Sequence, residues 1–378
     1  MEATGEPRVR PAYGGASLVN LIASIAGHFG LGTSHPPLIE ALDVQGATRV
    51  IFLLCDALGA RELETHLAQG ALPGLRRLLA DGDARLTRIT SVFPSTTAAA
   101  LSSIHTGRTP AEHGYLGYSV WLDAGPEVTD LLGARDVVTG ASRPTRSGPP
   151  AIFSGLTARG VTCRVVNSAA IADSALSAWH FAGAEYRRWY SANTLPSLLA
   201  DAAATVAPTY IWAYWPAHDH VCHVYGPASR EAADELAAFD LVLARVIGRL
   251  PRDGRTLLLL SGDHGQQTLD PARAVFLDDI VSRPTAGERT ALYARAEPGL
   301  AARLGDLAEV VEMDRLWAEG WFGGPPADPA YRLRTGDLLA CPRDGRQCVW
   351  RATRLLYRGS HGGWSADEML VPLIALRV

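Results

Sequence analysis

Five short, largely apolar runs punctuate the chain and predict strands: 49–55 (RVIFLLC), 160–166 (GVTCRVV), 210–215 (YIWAYW), 256–260 (TLLLL) and 370–376 (LVPLIAL). The first is continuous, which is the pattern of a strand buried on both faces. Between them the spacing turns helical. Leu18, Leu21, Ile22, Ile25 and Phe29 recur at helical period over 17–29. Residues 63–79 predict a helix or helix pair broken by Gly70 and Pro73. Further helices are expected at 97–105, stopped by Gly107, at 153–159, at 195–204, and at 229–250, the longest amphipathic stretch. Strands alternating with helices predict an α/β fold of three layers, α/β/α, around a mostly parallel sheet. Such sheets bind ligands beyond the carboxyl ends of their strands.

Three of the apolar runs end in metal-type ligands. Asp56 follows the first, Asp219-His220-Val221-Cys222-His223 follows the third, and Ser261-Gly262-Asp263-His264-Gly265 follows the fourth. His361-Gly362-Gly363 adds an imidazole near the end of the chain. Asp219 and His223 are spaced i, i+4, which puts both on one face of a helical turn. Asp263 and His264 share a tight loop flanked by glycines. Mixed carboxylate and imidazole ligands suit Zn²⁺, with Mn²⁺ or Fe²⁺ as alternatives. Phe93-Pro94-Ser95-Thr96-Thr97 brings a hydroxyl cluster to the start of a helix.

The order Asp56, Thr97, Asp219-x-x-x-His223, Asp263-His264, His361 resembles the alkaline phosphatase superfamily, and within it the type I phosphodiesterase/nucleotide pyrophosphatase family. Thr106-Gly107, Pro110, His113-Gly114 and Tyr225-Gly226-Pro227 add to the resemblance, which spans about 48–376. It implies an alkaline-phosphatase-like fold and two divalent ions, zinc foremost. Asp219, His223 and His361 would hold one ion. Asp56, Asp263 and His264 would hold the other, in contact with the nucleophile. The nucleophile is Thr97, because Thr97 precedes Thr106 by the nine positions the family spacing requires. Thr96 is then free to cap the helix. Two ions about 4 Å apart can clamp attacking and leaving oxygens, and metal contact lowers the pKa of a hydroxyl nucleophile. The helix N-terminus offers N–H groups to a phosphoryl oxygen. The implied reaction is hydrolysis of a small-molecule phosphodiester through a phosphothreonine, with phosphomonoester or phosphonate hydrolysis as alternatives. An inactive binding protein is the reading from another class, and the complete ligand set speaks against it.

The resemblance departs at two substrate positions. Ala98 stands where the family places a base-stacking aromatic, and Tyr118 where it places a phosphoryl-binding asparagine. The Tyr118 hydroxyl offers one hydrogen bond in exchange. The stretch Tyr186-Arg187-Arg188-Trp189-Tyr190, together with Trp179-His180-Phe181, reads as a substrate wall of aromatics and phosphate-binding arginines; its plainer use is core packing beside a solvated arginine pair. His218 and His220 flank Asp219 and are expected outside the ligand set. His113 is expected to fix the loop after Thr106-Gly107 by hydrogen bonds.

Composition narrows the setting. A net charge of −4 gives no general field for nucleic acid. Every basic residue other than histidine is arginine, a codon bias of GC-rich genomes and not a functional signal. The five cysteines are an odd count; Cys341 and Cys348 flank a hairpin-like turn that a disulfide would fit, but free thiols are expected. The N-terminus lacks the basic start and apolar core of a signal peptide, and 18–31 is too short and polar to span a bilayer. The expectation is a cytoplasmic enzyme without membrane attachment. Residues 142–150 read as a turn-rich loop and 270–355 as an irregular, Pro/Gly-rich insert or cap. Ligands drawn from 56 through 361 require one catalytic domain over 1–378.

Overall fold

The computed structural model describes residues 7–145, 148–205, 208–350 and 356–378. Residues 146–147 of the 142–150 loop, 351–355 at the end of the insert region, and part of the N-terminal stretch lie outside the described residues. All five apolar runs enter one seven-stranded sheet. Its order is Ala84–Thr90, Leu370–Arg377, Thr256–Ser261, Arg49–Cys55, Thr209–Trp215, Thr162–Ser168, Glu185–Trp189. Arg49–Cys55 lies at the centre, parallel to Thr209–Trp215 on one side and Thr256–Ser261 on the other. The C-terminal strand runs antiparallel to both its neighbours.

The central strand explains its own composition. Val50, Phe52 and Leu54 point into one core with Leu18, Ile22 and Ile25; Ile51, Leu53 and Cys55 point into a second with Leu236, Phe239 and Leu243. Successive side chains face opposite sides of a sheet, so helices on both faces demand an apolar residue at every position. The edge strand Ala84–Thr90 is covered only in part, and its middle residues are half-buried or exposed. That is why ARLTRIT carries no apolar run and escapes a hydropathy reading.

The region expected to be an irregular insert is more ordered than its composition implies. A second seven-stranded sheet joins Ala308–Glu312, Leu338–Pro342, Leu292–Ala294, Ala286–Gly287, Ser119–Val120, Thr129–Asp130 and Arg135–Asp136. All its pairings are antiparallel. It draws on the chain between Thr97 and the third motif as well as on 270–355. Strands of two to five residues are too short to leave a period in the sequence. The sheet does not stand apart. Trp121, Tyr293, Trp317, Trp321 and Phe322 share a core with Phe93 and Trp364, which flank the active-site loops. Among the described residues no helix is long and apolar enough to cross a membrane. The five cysteines are free and buried.

Two histidines, His105 in the last turn of the helix Thr97–Thr106 and His113 shortly after it, are buried and uncharged. The His113 Nδ1 accepts from the Tyr115 N–H at 3.0 Å, so its Nε2 carries the proton and donates to the Ser103 hydroxyl at 2.9 Å. His105 packs between Trp212 and His180, with ring centroids 4.5 and 4.9 Å away. Both His105 nitrogens are buried without a hydrogen-bond partner among the described residues. Burial pushes the His105 imidazole down to about 3. Burial also pushes His113 down to about 3, with Glu112 opposing and Arg334 adding. Each therefore binds a proton more weakly folded than unfolded. Their contribution to stability is complete above the ordinary value of 6.5 and is lost as pH falls from 6.5 towards about 3. Within that window each should remove about 1.4 kcal/mol per pH unit. Urea midpoints at a series of pH values should fall on the acid side. His105→Leu should flatten part of that fall; an unchanged slope would refute the assignment.

Candidate active site

The centre of the site is set by three adjacent strands ending on one edge. Arg49–Cys55 delivers Asp56, Thr256–Ser261 leads into Asp263 and His264, and Thr209–Trp215 runs through Pro216 into the helix Ala217–Tyr225, which carries Asp219 and His223. The Asp56 N–H donates to the Trp215 carbonyl at 2.9 Å, extending the ladder one residue beyond the strand. Ala57 then turns with φ +62°, a left-handed conformation that costs an alanine about 1–2 kcal/mol. The turn aims the Ala57 N–H at Asp263 Oδ1, 3.1 Å away. Gly265 is needed for a close approach: a Cβ there would lie 2.0 Å from the Asp367 carbonyl oxygen.

The structure brings Asp56, Thr97, Asp219, His223, Asp263, His264 and His361 together. The tautomers of the three imidazoles follow from their partners. His223 Nδ1 donates to the Gly359 carbonyl at 2.9 Å, His361 Nδ1 to the Ser95 carbonyl at 2.9 Å, and His264 Nδ1 to the Gly265 carbonyl at 3.1 Å. Each Nε2 is left with a lone pair, and each faces carboxylates. His223 Nε2 and His361 Nε2 lie 3.4 and 3.7 Å from Asp219 Oδ1. His264 Nε2 lies 3.6 Å from Asp56 Oδ1 and 3.5 Å from Asp263 Oδ2. Asp56 Oδ1 and Asp263 Oδ2 are buried without a hydrogen-bond donor among the described residues. Burial, then Asp263 and Asp219, drive the Asp56 carboxyl well above its usual range. Acceptors facing acceptors at these distances fit divalent cations. Two sets of donor atoms lie within 4.8 Å of one another here, Asp219/His223/His361 and Asp56/Asp219/His264, and Asp263 is in neither. Asp219 thus reaches both sets, whereas the sequence assigned it to one.

Surrounding residues hold the carboxylates in place. The Tyr214 hydroxyl donates to Asp56 Oδ2, and Gln266 Nε2 donates to Asp219 Oδ1 at 2.6 Å. Glu368 accepts from the Gly363 N–H and the Thr290 hydroxyl, both at 2.8 Å, fixing the loop after His361. Sequence reasoning passed over all three. Gln266 follows the Asp263-His264-Gly265 motif directly, and that adjacency was the signal available.

Thr97 opens the helix Thr97–Thr106, and Thr96 caps it, accepting from the Ala99 N–H at 3.4 Å. The two neighbouring threonines therefore have different tasks. Thr97 Oγ1 lies 3.1 Å from His264 Nε2 and lines a cavity of about 450 Å³ together with Asp219, His223 and His361. The far wall comes from the second sheet and the segments beside it: Tyr118, Glu288, Arg289 and Tyr357, with Leu132, Val137 and Val349 as apolar surface. Burial, opposed by Arg289 and reinforced by Asp219 and Asp130, pushes the Glu288 carboxyl up to about 8. The Arg289 guanidinium lies over the Tyr357 ring, 4.1 Å from its centroid.

Tyr186, Arg187 and Arg188 do not line this cavity. They sit on Glu185–Trp189, the edge strand farthest from Ala84–Thr90. Arg187 pairs with Glu185, Arg188 with Asp173, and the Tyr186 hydroxyl donates to the Ser168 carbonyl. Their expected role as a substrate wall gives way to packing and surface pairing on the sheet edge. Glu288, Arg289 and Tyr357 occupy the wall instead, in a region without sequence motifs.

Gly265→Ala should destabilise the fold by about 3 kcal/mol or more, because the added methyl collides with main chain that cannot swing aside. A urea titration of the metal-free variant checks this; a midpoint matching the parent would show that the approach is not needed.

The type I phosphodiesterase / nucleotide pyrophosphatase family model matches residues 50–318. A search of the curated proteins finds no significant sequence match. Among solved structures, murine ectonucleotide pyrophosphatase/phosphodiesterase 5 aligns with a TM-score of 0.64 at 14% identity, over 86% of this chain and 87% of its own. An inactive form of that protein in complex with AMP aligns with a TM-score of 0.63 at 14% identity, covering 86% and 87%. Phosphonoacetate hydrolase from Sinorhizobium meliloti 1021, in complex with phosphonoacetate, aligns with a TM-score of 0.59 at 19% identity, over 89% and 91%. These likenesses show an alkaline-phosphatase-like fold. The family match covers most of the chain and includes Asp56, Thr97, Asp219, His223, Asp263 and His264, so the chain belongs to the type I phosphodiesterase / nucleotide pyrophosphatase family and is a phosphoester hydrolase.

Proposed function

We propose that the chain cleaves a small-molecule phosphodiester in two steps at Thr97. Asp219, His223 and His361 would hold one divalent ion. Asp56, Asp263 and His264 would hold a second, beside the Thr97 hydroxyl. The imidazole and carboxylate donors favour zinc. Bound ions lower the pKa of the hydroxyl and offset charge on the attacking and departing oxygens. The observation that carries this reading is Thr97 Oγ1, 3.1 Å from His264 Nε2, at the first position of a helix that opens on the cavity.

In the first step Thr97 Oγ1 attacks phosphorus and loses its proton to solvent. The bond from phosphorus to the departing alcohol breaks, leaving a phosphothreonine ester. N–H groups of the helix's first turn donate to a non-bridging oxygen as charge builds there. Tyr118 offers a further donor from the opposite wall. In the second step water attacks phosphorus, the bond to Oγ1 breaks, Oγ1 regains a proton, and a phosphomonoester leaves.

One observation favours a second reading. Arg289 brings a cation to the cavity wall, and a guanidinium suits an additional anionic oxygen. A dianionic phosphomonoester, or a phosphonate bearing a carboxylate, would use it; a simple diester would not.

Thr97→Ala should lower turnover on the order of a thousandfold or more while bound metal, measured by elemental analysis, stays at the parental level. Substantial residual turnover would remove Thr97 as nucleophile. A paired assay on bis-p-nitrophenyl phosphate and p-nitrophenyl phosphate, after chelation and return of Zn²⁺ or Mn²⁺, separates the two substrate readings. The diester should be the better substrate, and Arg289→Ala should depress the monoester rate more than the diester rate. A clear preference for the monoester would transfer the assignment to the second reading.

A further inference from the structure

The helix Ala217–Tyr225 carries two pairs at the same i, i+4 spacing. Asp219 and His223 face the cavity. His218 and Cys222, one residue earlier in each case, are turned about 100° around the helix and face Glu62 on the helix Ala60–Ala68. We propose that Glu62, His218 and Cys222 form a third metal site, structural in role and separate from the catalytic centre.

The distances are those of a coordination shell. His218 Nε2 lies 3.1 Å from Glu62 Oε2 and 3.5 Å from Cys222 Sγ, and all three donor atoms lie within 4.8 Å of one another. Tetrahedral zinc, with bonds of about 2.05 Å to nitrogen or oxygen and about 2.3 Å to sulfur, sets its ligands about 3.3 Å apart for N and O and about 3.6 Å apart for N and S.

Hydrogen bonding accounts for the imidazole but not for every atom. A relay can run from the Cys222 S–H to His218 Nδ1, 3.7 Å away, and from Nε2–H to Glu62, yet the sulfur lies nearer to Nε2, at 3.5 Å. Glu62 Oε1 is also buried without a hydrogen-bond partner among the described residues. A divalent cation would satisfy every one of these atoms.

The charges balance as well. On binding, Cys222 gives its proton to solvent; one thiolate, one carboxylate and a neutral imidazole then neutralise a divalent ion. That is the condition for placing an ion where His218 and Cys222 have no solvent exposure. Glu62, 13% exposed at its side chain, is the ligand nearest solvent. Thiolate, imidazole and carboxylate together suit zinc. The ion would pin the helix that carries Asp219 and His223 to the helix that follows Asp56, holding ligands of both catalytic sets.

Cobalt(II) titration of the full chain, stripped with chelator, tests the proposal. The catalytic donors are nitrogen and oxygen only, so a thiolate-to-Co²⁺ charge-transfer band in the near ultraviolet would report on Cys222. The wild type should bind three equivalents and show the band; Cys222→Ser should bind two and lose it. Glu62→Gln, which keeps the thiol, should weaken cobalt binding at the band on the order of a hundredfold, given that loss of an outer partner alone costs about ten- to a hundredfold. Far-ultraviolet circular dichroism confirms that the variants fold. Two equivalents without a band in the wild type would overturn the third site and leave the catalytic reading intact. A band that persists in Cys222→Ser would also overturn it. No binding at all would overturn both.

Discussion

The site rests on electron pairs that face one another. Three Nε2 lone pairs and the oxygens of Asp56, Asp219 and Asp263 stand 3.4 to 3.7 Å apart, acceptor against acceptor. The backbone imposes this through the carbonyls of Gly359, Ser95 and Gly265, which fix each imidazole by its other nitrogen. The carbonyl that orients His223 lies two residues before His361, and the one that orients His361 lies two residues before Thr97. Two of the three imidazoles are therefore oriented by a loop that carries another site residue, while His264 is held by its own loop. The bridge between Ser95 and Gly362 and the pairing of Gln267 with Ser360 tie the same loops together. A cation meeting these lone pairs would relieve the repulsion that folding concentrates there, so metal binding would be coupled to folding.

This wiring explains what the sequence reveals. A strand buried on both faces leaves an unbroken apolar run, and a polar residue at its end has little reason to be there except the strand-end crevice. Asp56 and Asp263 are legible for that reason. Thr97 is legible through its spacing to Thr106, and its neighbour Thr96 has the separate duty of capping. The substrate wall is not legible. Glu288 and Arg289 lie between strands of two and three residues, where neither period nor motif can register. The aromatic and basic stretch at Tyr186–Arg188 has the composition of a binding wall, but composition carries no position. Glu185 and Asp173 take up its arginines on a sheet edge, a pairing that only the tertiary arrangement specifies.

The helix Ala217–Tyr225 shows how closely the two kinds of information are interleaved. Its i, i+4 pairs are equivalent in sequence, and only the rotation between successive residues sends one pair to the cavity and the other to the neighbouring helix. His218 looked like a bystander to Asp219 because a sequence reading has no way to see Glu62 opposite it. Its full burial against a carboxylate follows from how the first and third motif segments pack.

The division of the cavity bears on specificity. The phosphorus-handling half comes from ends of the main sheet and one helix start, whose geometry is fixed by strand register and the carbonyl wiring. The opposite half comes from the second sheet, whose short strands are joined by turns that can vary without disturbing that register. Ala98 leaves the nucleophile's side of the cavity without an aromatic, while Tyr118 and Tyr357 bring aromatic rings from the far side. Tyr357 packs against both the His223 ring and the Arg289 guanidinium. A substrate group resting on that surface would be held beside the ion site formed with His223 and not beside Thr97. That is where the proposed in-line attack from Thr97 would require the leaving group to be. The two departures from the family pattern are divided between the halves, Ala98 beside Thr97 and Tyr118 on the far wall, so under the proposed reaction each would bear on a different part of the substrate.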